Sequence, residues 1–258
     1  MAVIDINCDM GESFGPYRIG TDEAVIKQIT SANVACGFHA SDPMVMEQTV
    51  RLCWEHGVRV GAHPGYPDLM GFGRRFMDLG KTELVNYVIY QVGALSGFLK
   101  LFDLPLQHVK LHGALYNHVL SQEKLFLEMA LEVVKLFGEV TFLTLGTSKT
   151  AQLKSRAEEL GIKIALEAFP DRGYTDDGEL LGREKPGAVI HDAAEIARRA
   201  LSMARERGVE SVNGRWVPMD VHTLCVHGDN MESVAAVMRI RRLLQEQGIN
   251  VKPLSQFL

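Results

Sequence analysis

Four of the nine histidines, His39, His63, His112 and His227, each follow a short apolar run by a few residues. Gly37, Gly113 and Gly228 stand beside three of them. Carboxylates hold the same relation to such runs: Asp9 and Glu12 in Asn7-Cys8-Asp9-Met10-Gly11-Glu12, Glu167 ahead of Asp171-Arg172, and Asp229 just after His227. Imidazole and carboxylate groups carry protons near neutral pH, so this supply fits general acid–base chemistry. The glycines let the backbone turn tightly and approach a small ligand. Lys110, in Val109-Lys110-Leu111, puts a charge at the end of an apolar run, where it is either functional or paired. Arg74-Arg75 can clamp an anionic group bidentately, or pair within its own loop.

The same residue types can hold a metal. Three protein ligands and an open position would make a hydrolytic zinc site. No H-E-x-x-H or H-x-x-E-H occurs, so its ligands would come from different strands, and the metal question stays open. Cys8 and Cys36 have no adjacent base and read as packing residues. Gly146-Thr147-Ser148-Lys149-Thr150 lacks the spacing of a phosphate loop and reads as a strand-to-helix turn with a cap. His56, His118 and His191 lie on or beside helices, His108 and His222 within strands. None of these five is assigned a function.

These residues need elements that bring distant positions together. Strands are expected at 3–7, 32–35, 59–62, 106–110, 140–143, 163–167 and 221–226, each short, apolar and bounded by Gly, Pro or polar residues. Amphipathic helices alternate with them. One is capped by Asp42-Pro43 and stopped by Gly57, one carries Leu84, Val88, Val92, Leu95 and Leu99, and one carries Leu125, Met129, Val133 and Leu136. Another opens at Asp192-x-x-Glu195, and the last carries Val234, Val237, Ile240 and Leu244. Asn213-Gly214 marks a small hairpin. Alternating strands and helices imply a parallel sheet, and no G-x-G-x-x-G supports a dinucleotide fold. The expectation is one domain, residues 1–258, built as an α/β barrel. Six of its seven strands deliver a His or carboxylate at their carboxyl ends, where barrel active sites lie. Asp5 and Asn7 alternate with Ile4 and Ile6, so they should point into the barrel while the isoleucines meet the helices.

Composition narrows the function classes. The chain has 258 residues, is 47% hydrophobic and 23% charged, and carries a net charge of −5. That balance argues against nucleic acid or a membrane surface as partner. Its four cysteines form no paired spacing, the early Asp5, Asp9 and Glu12 do not fit a signal peptide, and no 18-residue unbroken apolar run occurs. A cytoplasmic protein is expected.

Residues 5–12, 33–40, 61–68, 71–75 and 112–117, Glu167-Ala168-Phe169 with Asp171-Arg172, and residues 225–229 together resemble the motifs of the LamB/YcsF family. The match runs in order over nearly the whole chain. Two departures are visible: Ser41 stands where the family usually has glycine, and Leu111 replaces a usual proline. The resemblance implies a distorted seven-stranded TIM-like barrel of the glycoside hydrolase/deacetylase type. The implied activity is ATP-dependent opening of 5-oxo-L-proline to L-glutamate, with magnesium-bound ATP as co-substrate and separate B and C subunits as partners. On that reading Asp9 or Glu167 is the base, and His39, His63, His112 and His227 share proton transfer and oxyanion stabilisation. Arg172 or Lys110 holds the substrate carboxylate or the phosphate, with Asn7, Glu12, Arg74 and Asp229 as further substrate contacts. Two alternatives are a metal-dependent amide or carbohydrate deacetylase and a non-catalytic small-molecule-binding or regulatory subunit.

Overall fold

The computed structural model describes residues 2–147 and 150–258. Ser148 and Lys149, in the turn read above as a strand-to-helix cap, lie outside them. Within that turn Thr150 Oγ1 accepts from the Thr147 N–H at 2.9 Å.

Seven parallel strands close into a barrel: β1 (Val3–Met10), β2 (Ser31–Ala35), β3 (Arg59–His63), β4 (Leu106–Val109), β5 (Thr141–Leu145), β6 (Lys163–Ala168) and β9 (Thr223–Val226), which pairs with β1 as well as β6. The short β7 (Gly208–Glu210) and β8 (Trp216–Pro218) form the expected antiparallel hairpin around Asn213-Gly214. The two-residue β10 (Asn250–Val251) extends the sheet beyond the start of β1. Around the barrel lie α1 (Asp22–Val25), α2 (Pro43–His56), α3 (Lys81–Leu99), α4 (Gly113–Leu120), α5 (Glu123–Phe137), α6 (Thr150–Glu159), α7 (Ala193–Arg205) and α8 (Met231–Glu246). Local chemistry sets several of their ends. Asp42 accepts from the N–H groups of Met44 and Val45, and Gly57 ends α2 at φ 66°. Asp192 accepts from the Glu195 N–H at the start of α7.

The strands sort their side chains by face. Ile4, Ile6, Val34, Val60 and Ala62 join the apolar layer between barrel and helices. Asp5, Asn7, Ser31, Asn33 and His108 turn the other way and are fully buried. A charged interior survives only if hydrogen-bonded, and this one is. Asp5 accepts from Thr30 and Ser31, each at 2.7 Å, and from Thr223 at 2.5 Å. Asn7 donates to Thr223, and Asn33 donates to Asn7, each at 2.7 Å. His108 Nε2 meets Asn33 Oδ1 at 2.6 Å. Gly61 makes room for this ring, since a Cβ there would collide with the imidazole. The result is a polar floor beneath the open end of the barrel.

By composition α3 and its extension to Phe102 are long and apolar enough to cross a bilayer, the only such helix among the described residues. Its Leu84, Val88, Val92, Leu95 and Leu99 pack into the core. Gln91 on the same helix accepts from the Gly65 N–H and donates to the Gly65 carbonyl, both at 2.9 Å. That face belongs to the barrel wall and steadies the loop after His63.

Candidate active site

Lys110 sits just past the end of β4 and is 3% exposed. Its Nζ lies 3.0 Å from Asp9 Oδ1, 3.3 Å from Glu167 Oε2 and 3.0 Å from Cys225 Sγ. Three different strands, β1, β6 and β9, thus converge on one ammonium group carried just past a fourth. Asn33 also donates to Asp9 Oδ1 at 2.7 Å. Burial alone would raise the Asp9 carboxyl, but His63 and then Lys110 beside it hold it well below the usual carboxylate range. Burial likewise penalises the Lys110 charge, yet Asp9, Cys225 and Glu167 push its titration well above the ordinary lysine value. Lys110 is a cation and Asp9 an anion at every physiological pH.

A histidine cluster adjoins this network. His63 Nε2 lies 3.4 Å from Asp9 Oδ2 and 3.0 Å from His112 Nδ1. The His39 and His112 rings stack at 3.7 Å, and Glu12 Oε1 lies 3.6 Å from His39 Nε2 and 3.9 Å from His112 Nδ1. The outward nitrogens are used by the backbone: His63 Nδ1 meets the Lys110 carbonyl at 2.7 Å and His112 Nε2 the Phe72 carbonyl at 2.8 Å. Neither His39 nitrogen has a hydrogen-bond partner. Close packing needs glycine here, because a Cβ at Gly65 would lie 2.7 Å from His39 Nδ1. Burial first, then the Asp9 charge, pushes Glu12 up to about 8, while burial and His63 push His112 down to about 3.

The third group is a dyad. His227 Nδ1 and Asp171 Oδ2 are 2.7 Å apart at the rim of a cavity of about 570 Å³ also lined by Arg183, Lys185, Cys225 and Asp229. Burial opposes the imidazolium, but Asp171 outweighs it and raises His227 from its ordinary 6.5 to about 9. A raised histidine stabilises the fold fully below its unfolded pKa and loses that contribution as pH climbs through its folded one. The window here is pH 6.5 to 9. In Asp171→Asn the His227 ring protons should titrate well below the wild-type midpoint when followed by NMR, and the alkaline loss of stability in that window should shrink. An unchanged midpoint would remove Asp171 as the cause.

The structure brings Asn7, Asp9, Lys110 and Glu167 into one network, Glu12, His39, His63 and His112 into a second, and His227 with Asp171 into a third. Asp229 is exposed at the cavity rim. Two of the arginines that could hold an anion are engaged within their own loops. Arg172 donates from Nε to the Ala188 carbonyl at 3.0 Å and from Nη2 to the Leu181 carbonyl at 2.6 Å, so it ties a loop together. Arg75 forks onto Asp68 within its own loop, with Nε 3.0 Å from Oδ2, and Arg74 lies exposed over the Phe72 ring. Of the arginine pair, Arg75 is thus committed to Asp68, and Arg74 has no ion-pair partner among the described residues. Ser41 has φ 76°, the left-handed region that glycine enters most readily.

Several participants carried no assignment in the sequence. Asn33 had a signal, since Ser31 and Asn33 alternate on β2 as Asp5 and Asn7 do on β1. Cys225 and Tyr116 beside Glu167 stood only within the segments that resemble the family, without a role. The cavity residues Arg183 and Lys185 had no signal, because their neighbours come from remote segments.

Comparison with known proteins adds ancestry to this geometry. The model of the LamB/YcsF family matches residues 4–258. A protein of Pyrococcus horikoshii, named as the A subunit of 5-oxoprolinase, is 51% identical over 255 residues, 99% of each chain. One of the same name from Pyrococcus abyssi is 50% identical over the same share. The crystal structure of a lactam utilization protein from Thermus thermophilus superposes with a TM-score of 0.90 at 41% identity, covering 97% of this chain and 99% of that one.

Proposed function

Because the chain belongs to the LamB/YcsF family, we propose that it is the A subunit of a cytoplasmic ATP-dependent 5-oxoprolinase. In this reading it opens the lactam of 5-oxo-L-proline to L-glutamate together with B and C subunits, with ATP and magnesium as co-substrate. The observation that carries the reading is the whole-length likeness, near half of all residues, to proteins named for that activity.

A five-membered lactam is a resonance-stabilised amide and hydrolyses slowly without activation. Transfer of the γ-phosphoryl group of ATP to its carbonyl oxygen releases ADP and leaves an electrophilic carbon. Water then adds to that carbon, and the adduct expels the ring nitrogen, which takes up a proton. A second water releases phosphate from the resulting acyl phosphate, giving glutamate. The chain's own residues match these needs. Asp9 accepts the proton of the attacking water, aimed by its bonds to Lys110 and Asn33. Lys110, held cationic, stabilises the developing oxyanion. Protonated His227, oriented by Asp171, delivers a proton to the departing nitrogen. Glu167, 3.3 Å from Lys110 Nζ, balances the Lys110 charge.

The test measures glutamate released from 5-oxoproline by the tag-free chain alone, then with B and C subunits, each with and without ATP. Glutamate is expected only from the complete set with ATP. Release by the chain alone, without ATP, would instead favour a direct amidohydrolase or deacetylase. No release under any condition would defeat the assignment.

A further inference from the structure

We propose that Glu12, His39, His63 and His112 form a binding site for one divalent transition metal ion of the zinc class. The proposal stands apart from the reaction above and rests on what the four side chains do to one another.

The first observation is convergence. One ligand atom from each of the four residues lies within 4.8 Å of every other. Donors held at about 2.0–2.1 Å around a tetrahedral zinc ion stand about 3.3 Å apart. The observed separations are 3.0 Å between His63 Nε2 and His112 Nδ1, 3.6 Å between His39 Nε2 and Glu12 Oε1, and 3.9 Å between His112 Nδ1 and Glu12 Oε1.

The second is the tautomers. A carbonyl oxygen only accepts, so His63 Nδ1 and His112 Nε2 must carry the ring hydrogens in their bonds to Lys110 and Phe72. In the neutral rings the inner nitrogens, His63 Nε2 and His112 Nδ1, then present bare lone pairs to each other at 3.0 Å. Two lone pairs that close repel, and a cation between them removes the repulsion. Outer nitrogens donating to backbone carbonyls while inner ones converge is how protein metal sites fix and orient their histidines.

The third is the His39 ring, which is fully buried with both nitrogens lacking a hydrogen-bond partner. A buried polar atom of that kind calls for a partner, and its Nε2 is aimed at Glu12. The donor set also selects the ion. Three imidazoles and one carboxylate suit Zn²⁺, Co²⁺ or a similar first-row ion, whereas Mg²⁺ and Ca²⁺ favour oxygen ligands.

Co²⁺ is the probe of choice, because its visible bands report coordination number and geometry. The tag-free full-length chain, stripped with dipicolinate, should take up one equivalent of Co²⁺ with d–d bands of a four- or five-coordinate ion, and Zn²⁺ should displace it. His63→Gln, His112→Gln and Glu12→Gln should each weaken Co²⁺ binding on the order of 100-fold or more, while His56→Gln on the outer helix should leave the bands intact. Should the cluster variants fail to fold by circular dichroism, the wild-type chain decides alone. Zn²⁺ X-ray absorption with imidazole scattering supports the site, and a spectrum without it overturns the proposal. Absence of a saturable equivalent of Co²⁺ in wild type, or bands that persist in folded His63→Gln and His112→Gln, overturns it as well.

Discussion

Lys110→Met should destabilise the protein by about 3–5 kcal/mol, read as a lower urea midpoint with an unchanged slope. The substitution keeps a four-atom stem and removes the ammonium group, with its charge and its hydrogen bonds to Asp9 and Cys225. Glu167 is fully buried, and its nearest cation is Lys110 Nζ at 3.3 Å, so the variant strands its carboxylate. Asp9 loses the same partner at 3.0 Å. Taking one partner from a buried ion pair costs far more than the pair itself contributes, because the remaining charge keeps its full desolvation penalty. The double variant Lys110→Met/Glu167→Gln should recover part of the loss, since glutamine needs no counter-ion. A single variant as stable as wild type would show that Lys110 does not neutralise this site.

If the chain acts as proposed, Asp9→Asn should lower glutamate release in the complete-set assay by roughly 10²–10⁴, with the fold retained and KM changed far less than kcat. Asparagine fits the space, and its oxygen can still accept from Lys110 and Asn33. It cannot take a proton from water. Its amide also turns a hydrogen toward His63 Nε2, which faces a carboxylate oxygen at 3.4 Å in the native chain. Full turnover by the variant would take Asp9 out of the chemistry, and a loss confined to KM would recast it as a binding residue.

The barrel and the positions of its reactive groups were legible because both follow from local pattern. The expected strand cores all appear, and Asp5 and Asn7 face inward as alternation requires. Ends were less exact: β1 runs on to Met10 because residues 7–10 pair with 31–34 of β2, and β9 begins at Thr223, leaving His222 just outside it. Helix α4 gave little signal, since Gly113 at its start has φ 54° and reads as a turn. The fate of Arg172 was also hidden. Whether an arginine meets a ligand or loop carbonyls depends on how residues 181 and 188 fold back over it, and nothing near Arg172 in the chain encodes that. The pairing of His63 with His112 was half visible. Their place at strand ends was readable, but the tautomers are set by carbonyls of Lys110 and Phe72.

The clasp between Asp5 and Thr223 has a consequence for biosynthesis. The two residues are 218 apart in sequence, and their bond lies across the seam where the last barrel strand meets the first. A nascent chain emerging from the ribosome therefore carries Asp5 through the synthesis of the next 218 residues without the hydroxyl that completes its shell. At about 5–20 residues per second that interval is roughly 10–40 s. Throughout it, β1 has an unpaired edge and a carboxylate that resists burial, which favours water over premature collapse. The ionised side chain that is costly to the finished interior would thus act during synthesis as a guard on the open seam.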